Sequence, residues 1–363
     1  MQPTPAAELS LSADGLDAAG ELLADAVAAG QVSAASLVVA RRGCLALARG
    51  YGRLRPEAGA RAVEADSVFL LASITKPVTA CAVMCLVDRG LISLDDPVSQ
   101  YLPEFRGGER PLVRVRHLLS HTSGLPDMLQ ENIALRRAHA SLSGFVEAAL
   151  RTPLLYTPGK GFGYQSMGIL LAGEIVERVS GRRLRDFERE QLFAPLGMEH
   201  SALGLGGFRI DGTVWCGTSL AESADDQRFG ANSPYWRDMG HPWGGMHSTG
   251  PDLAVLLQAM LDGGAHQGSR LFSPAAVRAM TTDQNAGLGA PWGLGWGLAR
   301  SPVYNYFGEL CSEATFGHVG ATGTAAWADP AQQLICVVLT NQMVAGGSLL
   351  RRVGNAVSAA VME

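Results

Sequence analysis

Strand-like runs stand near both ends of this chain, and helical patterns fill the stretch between them. Residues 33–52, SAASLVVARRGCLALARGYG, contain two β-rich runs split by a tight turn at RRG, 41–43. That arrangement predicts a β-hairpin. Near the other end come WGLGWGLA (292–299), GTAAWADP (323–330) and QLICVVLTNQ (333–342). Strands need partners, so two separated sets of short apolar strands are best satisfied by one sheet completed from both ends. The intervening patterns SGFVEAALR, GILLAGEIVERVSG and LRDFEREQLFAPLG repeat their apolar residues at helical spacing. The expected fold class is therefore α+β: an antiparallel β-sheet flanked by helices, plus a mostly helical second domain. Residues 1–90 and 250–363 would form the sheet domain, and 91–249 the inserted helical one.

Finer signals agree. Leu16, Ala19, Leu22, Leu23, Ala26 and Val27 mark an early amphipathic helix, and a last one is expected from about residue 347. Thr249 with Asp252 reads as a capping box, and Gly263 and Gly264 as the stop of that helix. Residues 204–245 are Gly-rich with little periodicity and are expected to wrap the surface.

Charge narrows the function. The net charge is -5 and no run of Lys or Arg appears, which argues against a nucleic-acid partner or an acidic membrane surface. No stretch approaches 18 uninterrupted apolar residues, so no membrane partner is expected. The first residues lack a basic region followed by an apolar one. The six cysteines, at 44, 81, 85, 216, 311 and 336, form no CxxC pair, so buried reduced thiols and a cytoplasmic location are expected.

The stretch LLASITKPVTACAVMCLVDRG, 70–90, places Ser73 and Lys76 one helical turn apart in an otherwise apolar run. A buried, unpaired lysine is costly. If Ser73 opens the helix, residues i and i+3 face the same way. Desolvation and the positive helix N-terminus then favour a neutral Lys76 amine beside the Ser73 hydroxyl. That is a nucleophile activated without histidine. Ordinary capping by Ser73 with a snorkelling Lys76 is the competing reading. Tyr164 and Ser166 stand in a loop just before a helical pattern, and a tyrosine beside a lysine can carry a proton. His318 and Gly320 stand at the start of a strand, where glycine permits a close approach. Other constellations fail. GxSxG is absent, with GTSLA at 217–221 the nearest approach. His117 and His121 are four apart, but HExxH and a third ligand are missing, so no metal and no cofactor are expected.

The three pairs occur in the order SxxK, YxS, HxG. In that order the chain resembles the serine β-lactamase and penicillin-binding-protein superfamily. It is most similar to the class C-like branch with family VIII esterases and D-amino-acid-specific peptidases. The stretches LISLDDPVSQYLPEF, VRVRHLLSHTSGLPD, GGMHSTGPDLA and WGLGWGL add to the likeness, which spans about residues 15–360. The resemblance implies Ser73 as nucleophile, Lys76 and Tyr164 as the proton relay, and backbone N–H groups of Ser73 and Ala321 as the oxyanion hole. Ser166 and His318 would orient the substrate, and His247 would border the cleft. Two departures stand out. Ser166 replaces the family's Asn, and His318 replaces a cationic Lys, so a carboxylate-bearing substrate would meet a weaker, pH-dependent partner. The expected activity is hydrolysis of a small carboxylic ester through an acyl-enzyme. Amide or peptide hydrolysis at D-amino acids, weak β-lactamase activity, and a non-catalytic binding role are the alternatives.

Overall fold

The computed structural model describes residues 1–57, 59–217 and 224–362. The strands among them are β1 (Gln2–Pro3), β2 (Ala34–Arg41), β3 (Cys44–Gly52), β4 (Phe69–Leu70), β5 (Ala202–Leu203), β6 (Met246–Ser248), β7 (Ala265–His266), β8 (Ser269–Arg270), β9 (Gly297–Leu298), β10 (Phe316–Gly320), β11 (Thr324–Asp329) and β12 (Leu334–Thr340). Seven form the main sheet in the order β1-β3-β2-β12-β11-β10-β9. Every pairing in it is antiparallel except that of β1 with β3. The first and last thirds of the chain meet at its centre, where Val38 faces Val337. The β2–β3 turn is two residues, Arg42 and Gly43, both at positive φ (51° and 80°). Such turns match the twist of paired strands.

Both faces of the sheet are covered. Val38 and Ala40 of β2 and Val337 and Leu339 of β12 join one core, with helix Gly250–Leu261. Leu37 and Val39 of β2 and Cys336 and Val338 of β12 point the other way, toward helices Ala13–Ala28 (α1) and Ser348–Ala359. Burial on both sides explains why these strands read as unbroken apolar runs rather than alternations. Helix α2 (Thr75–Asp88) is buried from Thr75 to Leu86 and packs on helix α3 (Met167–Ser180). A helix apolar all round belongs in the interior.

Three expectations need correction. Only Gly297–Leu298 of WGLGWGLA is strand in the main sheet; Trp292 makes an isolated bridge to Gly297 across a turn. The Thr249 hydroxyl does accept the Asp252 N–H, but the Asp252 carboxylate accepts instead from the His200 N–H and the Ser201 hydroxyl. The capping box is thus half made, because Asp252 is recruited to tie down a neighbouring loop. The 204–245 segment is not a surface wrapping throughout. Its helix Pro234–Met239 buries Trp236 and Arg237, and Arg237 donates to the Val214 and Ala231 carbonyls. Of GTSLA, residues 218–221 lie outside the described residues. The six cysteines are free thiols, all buried except the half-buried Cys44. Among the described residues, no helix is long and apolar enough to cross a membrane.

Candidate active site

The Ser73 turn is built by several tethers. Ser73 lies in a 3-10 turn, Ala72–Ile74, and α2 begins only at Thr75. Ser73 therefore does not cap the helix, and its hydroxyl is left for other partners. Ala72 sits at φ 51°, a left-handed conformation unusual for a residue with a Cβ. The surroundings enforce it. The Leu71 N–H donates to the Met246 carbonyl (2.9 Å), and Thr322 and Thr324 donate to the Leu70 and Leu71 carbonyls (2.9 and 2.8 Å). The Thr75 hydroxyl donates to the Ala72 carbonyl and accepts the Met246 N–H. Gly320 is a packing requirement: a Cβ there would fall 2.0 Å from the Leu71 oxygen. The close approach it permits is to the backbone beside Ser73, and the residue also lines the cavity at that serine.

Lys76 is 1% exposed, and its Nζ lies 2.8 Å from Ser73 Oγ and 2.9 Å from the Trp243 carbonyl. Burial lowers its pKa to about 7, against a smaller upward pull from Asp127. A neutral amine can donate to Trp243 and use its lone pair toward the serine hydroxyl. Tyr164 comes from the loop before α3. Its ring lies 4.8 Å from Lys76 Nζ, and Ser73 is near enough to draw its pKa down slightly. Burial drives its pKa up, against the smaller effect of Ser73, so the group is a phenol at neutral pH, not a phenolate.

These residues open onto a cavity of about 440 Å³ lined by Ser73, Tyr164, Val319, Gly320 and Ala321 with Phe162, Trp292, Val303, Tyr304, Tyr306 and Met343. A second, larger cavity of about 640 Å³, between Arg185, Phe193 and Phe208, holds none of the expected site residues.

The remaining expected residues are distributed differently. His318 is fully buried beside the cavity, with Nδ1 2.7 Å from the Val319 carbonyl and 3.1 Å from the Tyr304 hydroxyl. Burial, with Lys76 nearby, lowers its pKa to about 3. It is a neutral strut, not the pH-dependent cation expected. Ser166 is buried and spends its single hydrogen on Asp127 Oδ1, at 2.6 Å. His247 was expected at the cleft, but it is wholly buried on β6, against the Gly204 carbonyl and Arg237. Only its neighbour Met246 touches the Ser73 turn. His117 and His121 do not share a helix face: the helix ends at Leu119, and His121 turns away at φ 61°. His121 instead lies 4.6 Å, ring to ring, from Tyr164.

Comparison with known proteins bears on this geometry. The family model described as Beta-lactamase matches residues 20–360. The chain belongs to the Beta-lactamase family. A protein of Escherichia coli (strain K12), provisionally named a D-alanyl-D-alanine carboxypeptidase, is 31% identical over 307 residues, covering 76% of this chain and 69% of that protein. The crystal structure of a penicillin-binding-protein homolog from Caulobacter crescentus is similar, with TM-score 0.80 and 25% identity over 97% of this chain and 99% of that one. A family VIII carboxylesterase structure matches with TM-score 0.78 and 24% identity over 96% and 98% of the two chains. Membership of the Beta-lactamase family puts this chain among serine hydrolases of the β-lactamase and penicillin-binding-protein fold.

Sequence reading missed four residues around this Beta-lactamase-family site: Asp127, His121 as a Tyr164 neighbour, Trp292 and Tyr304. VRVRHLLSHTSGLPD ends on Asp127, but nothing in its spacing pairs that carboxylate with Ser166, 39 positions on.

Proposed function

We propose that Ser73 is the nucleophile of a carboxylic-ester hydrolase working through an acyl-enzyme. The observation that carries this reading is the buried Lys76 amine, 2.8 Å from Ser73 Oγ with a pKa near 7. Neutral Lys76 takes the serine proton as Oγ attacks the carbonyl. The Tyr164 phenol passes its proton to the leaving alkoxide and is restored by Lys76. In deacylation the same pair accepts a proton from attacking water and returns it to Ser73 Oγ as the acyl–oxygen bond breaks. Backbone N–H groups of Ser73 and Ala321 hold the oxyanion, each donor worth about 3 kcal/mol in such sites.

Esters are favoured over peptides ending in a carboxylate by the cavity's lining. It is aromatic and aliphatic, and His318, where a cation was expected, is neutral. The test compares S73A with the unaltered protein. Labelling by a fluorophosphonate probe and hydrolysis of p-nitrophenyl butyrate should both vanish in S73A. Retention of both would sink the reading. Nitrocefin and a D-alanyl-D-alanine peptide should be turned over at least tenfold less efficiently, by kcat/KM, than the ester.

A further inference from the structure

His121 has no part in the chemistry above, yet it holds the chain on both sides of Tyr164. Its carbonyl oxygen accepts the Gly163 N–H at 3.0 Å, and its ring Nδ1 accepts the Gln165 N–H at 3.3 Å. Between these two bonds the Tyr164 ring packs against the imidazole, with 4.6 Å between centroids. The turn around His121 secures the same segment. The Gln165 side-chain amide donates to the His117 carbonyl at 3.0 Å and accepts from the Ser123 hydroxyl at 2.5 Å. His121 and Gln165 are both fully buried.

The ring carries its hydrogen on Nε2. Burial, with Lys76 and His318 nearby, holds the His121 pKa well below its usual value, so the imidazole is neutral. A neutral ring has one N–H, and Nδ1 is already an acceptor. Nε2 has no hydrogen-bond partner among the described residues. The imidazole is instead enclosed by rings, with Trp292 at 4.7 Å and Phe162 at 6.1 Å in edge-to-face arrangements. Those two rings and Tyr164 line the Ser73 cavity, whereas His121 stands behind them. Its backbone at φ 61° is a strained conformation for a residue with a Cβ, and it turns the ring toward Tyr164.

We propose that His121 is a positioning residue that holds the Tyr164 phenol at the bond to the leaving oxygen. The proposal rests on the proton relay described above and extends it to a residue outside the cavity. Tyr164 gives its proton to the leaving oxygen as the bond from that oxygen to the carbonyl carbon breaks, and such a transfer depends on placement. An ester whose leaving group needs no proton should be indifferent to His121.

The test compares two esters that share an acyl group: benzyl butyrate, whose alkoxide needs a proton to leave, and p-nitrophenyl butyrate, whose phenolate does not. H121F keeps a ring but removes the acceptor, leaving the Gln165 N–H unpaired. The kcat/KM for benzyl butyrate should fall about ten- to hundredfold, and that for p-nitrophenyl butyrate less than about threefold. H121N should keep most of the ratio between the two esters, because asparagine tolerates left-handed backbone and its Oδ1 can stand where Nδ1 stood. Y164F should show the same selective loss, and H121F should add nothing to it. If a melting curve shows H121F unfolded, H121G takes its place, since glycine accepts the backbone and supplies no acceptor. An equal loss on both esters overturns the proposal, as does a loss in H121N as large as in H121F, or one additive with that of Y164F. If Y164F shifts the ratio and H121F does not, only the His121 proposal fails. If Y164F leaves the ratio unchanged, the relay itself fails. If neither ester is hydrolysed, the serine-hydrolase reading fails, and the role of His121 with it.

Discussion

Lys76 carries a cost that its surroundings do not offset. It sits wholly buried with a pKa near 7, whereas an unfolded lysine titrates near 10.5. The unfolded chain thus binds more protons between pH 7 and 10.5, and stability should rise with pH across that window. In K76M the rise should be absent. K76M should also gain about 1–3 kcal/mol at pH 7 while losing turnover, as read by chemical denaturation and by ester assay. Catalysis should follow the same titration: kcat/KM should climb with pH to a plateau, with an apparent pKa near 7, because the base must be neutral. A profile flat from pH 5 to 9 would remove Lys76 from the base role. Ser73 and Lys76 were legible because helical geometry fixes what lies three residues on. Asp127 was not, since its partner is distant in sequence. His247 was misplaced because adjacency to a loop does not say which face of a strand points at the site.

Segments too short to leave a periodic trace decide where the nucleophile stands. β4 and β5 have two residues each and β6 has three, yet β6 ties both Leu71 and Thr75. No pattern of period two can declare itself over so short a run. The long strands β2, β3, β11 and β12 were readable for the opposite reason. β10 contributes through Gly320, whose missing side chain lets the strand lie against the backbone of the serine turn. G320A should cost about 3 kcal/mol or more, because the obstructing atom is a backbone oxygen that cannot rotate away. Activity should fall with it even far below the melting temperature, since the serine turn is what must move. A G320A protein with unchanged kcat would show that the contact is slack.

Across the whole molecule, both cores reach the site: α2 lies in one, while Trp292, Tyr304 and Val319 of the cavity lining belong to the other, with Tyr164 packed against it. Leu23 of α1 is fully buried in the core shared with helix Ser348–Ala359, on the sheet face away from α2. L23A should destabilise by about 3 kcal/mol and lower Tm by roughly 3–8 °C. Its kcat at 25 °C should match the unaltered protein, which a parallel ester assay and melting curve would check. The sheet's general plan was visible early because both ends of the chain carried strands and the middle did not. What could not be read was the packing of the 229–245 stretch, whose buried Arg237 satisfies itself on carbonyls rather than on an acidic partner.

The pairing of Val38 with Val337 also sets a schedule for synthesis. The two residues are 299 positions apart (337 − 38). At about 5–20 residues per second, β2 waits roughly 15–60 s for the strand that will lie beside it. Throughout that interval the edge of β2 that β12 will occupy is open, and for most of it the Val38 face still waits for helix Gly250–Leu261. An interrupted product ending before Leu334 would therefore carry Ser73, Lys76 and Tyr164 intact and still be a hazard to the cell rather than a weak enzyme.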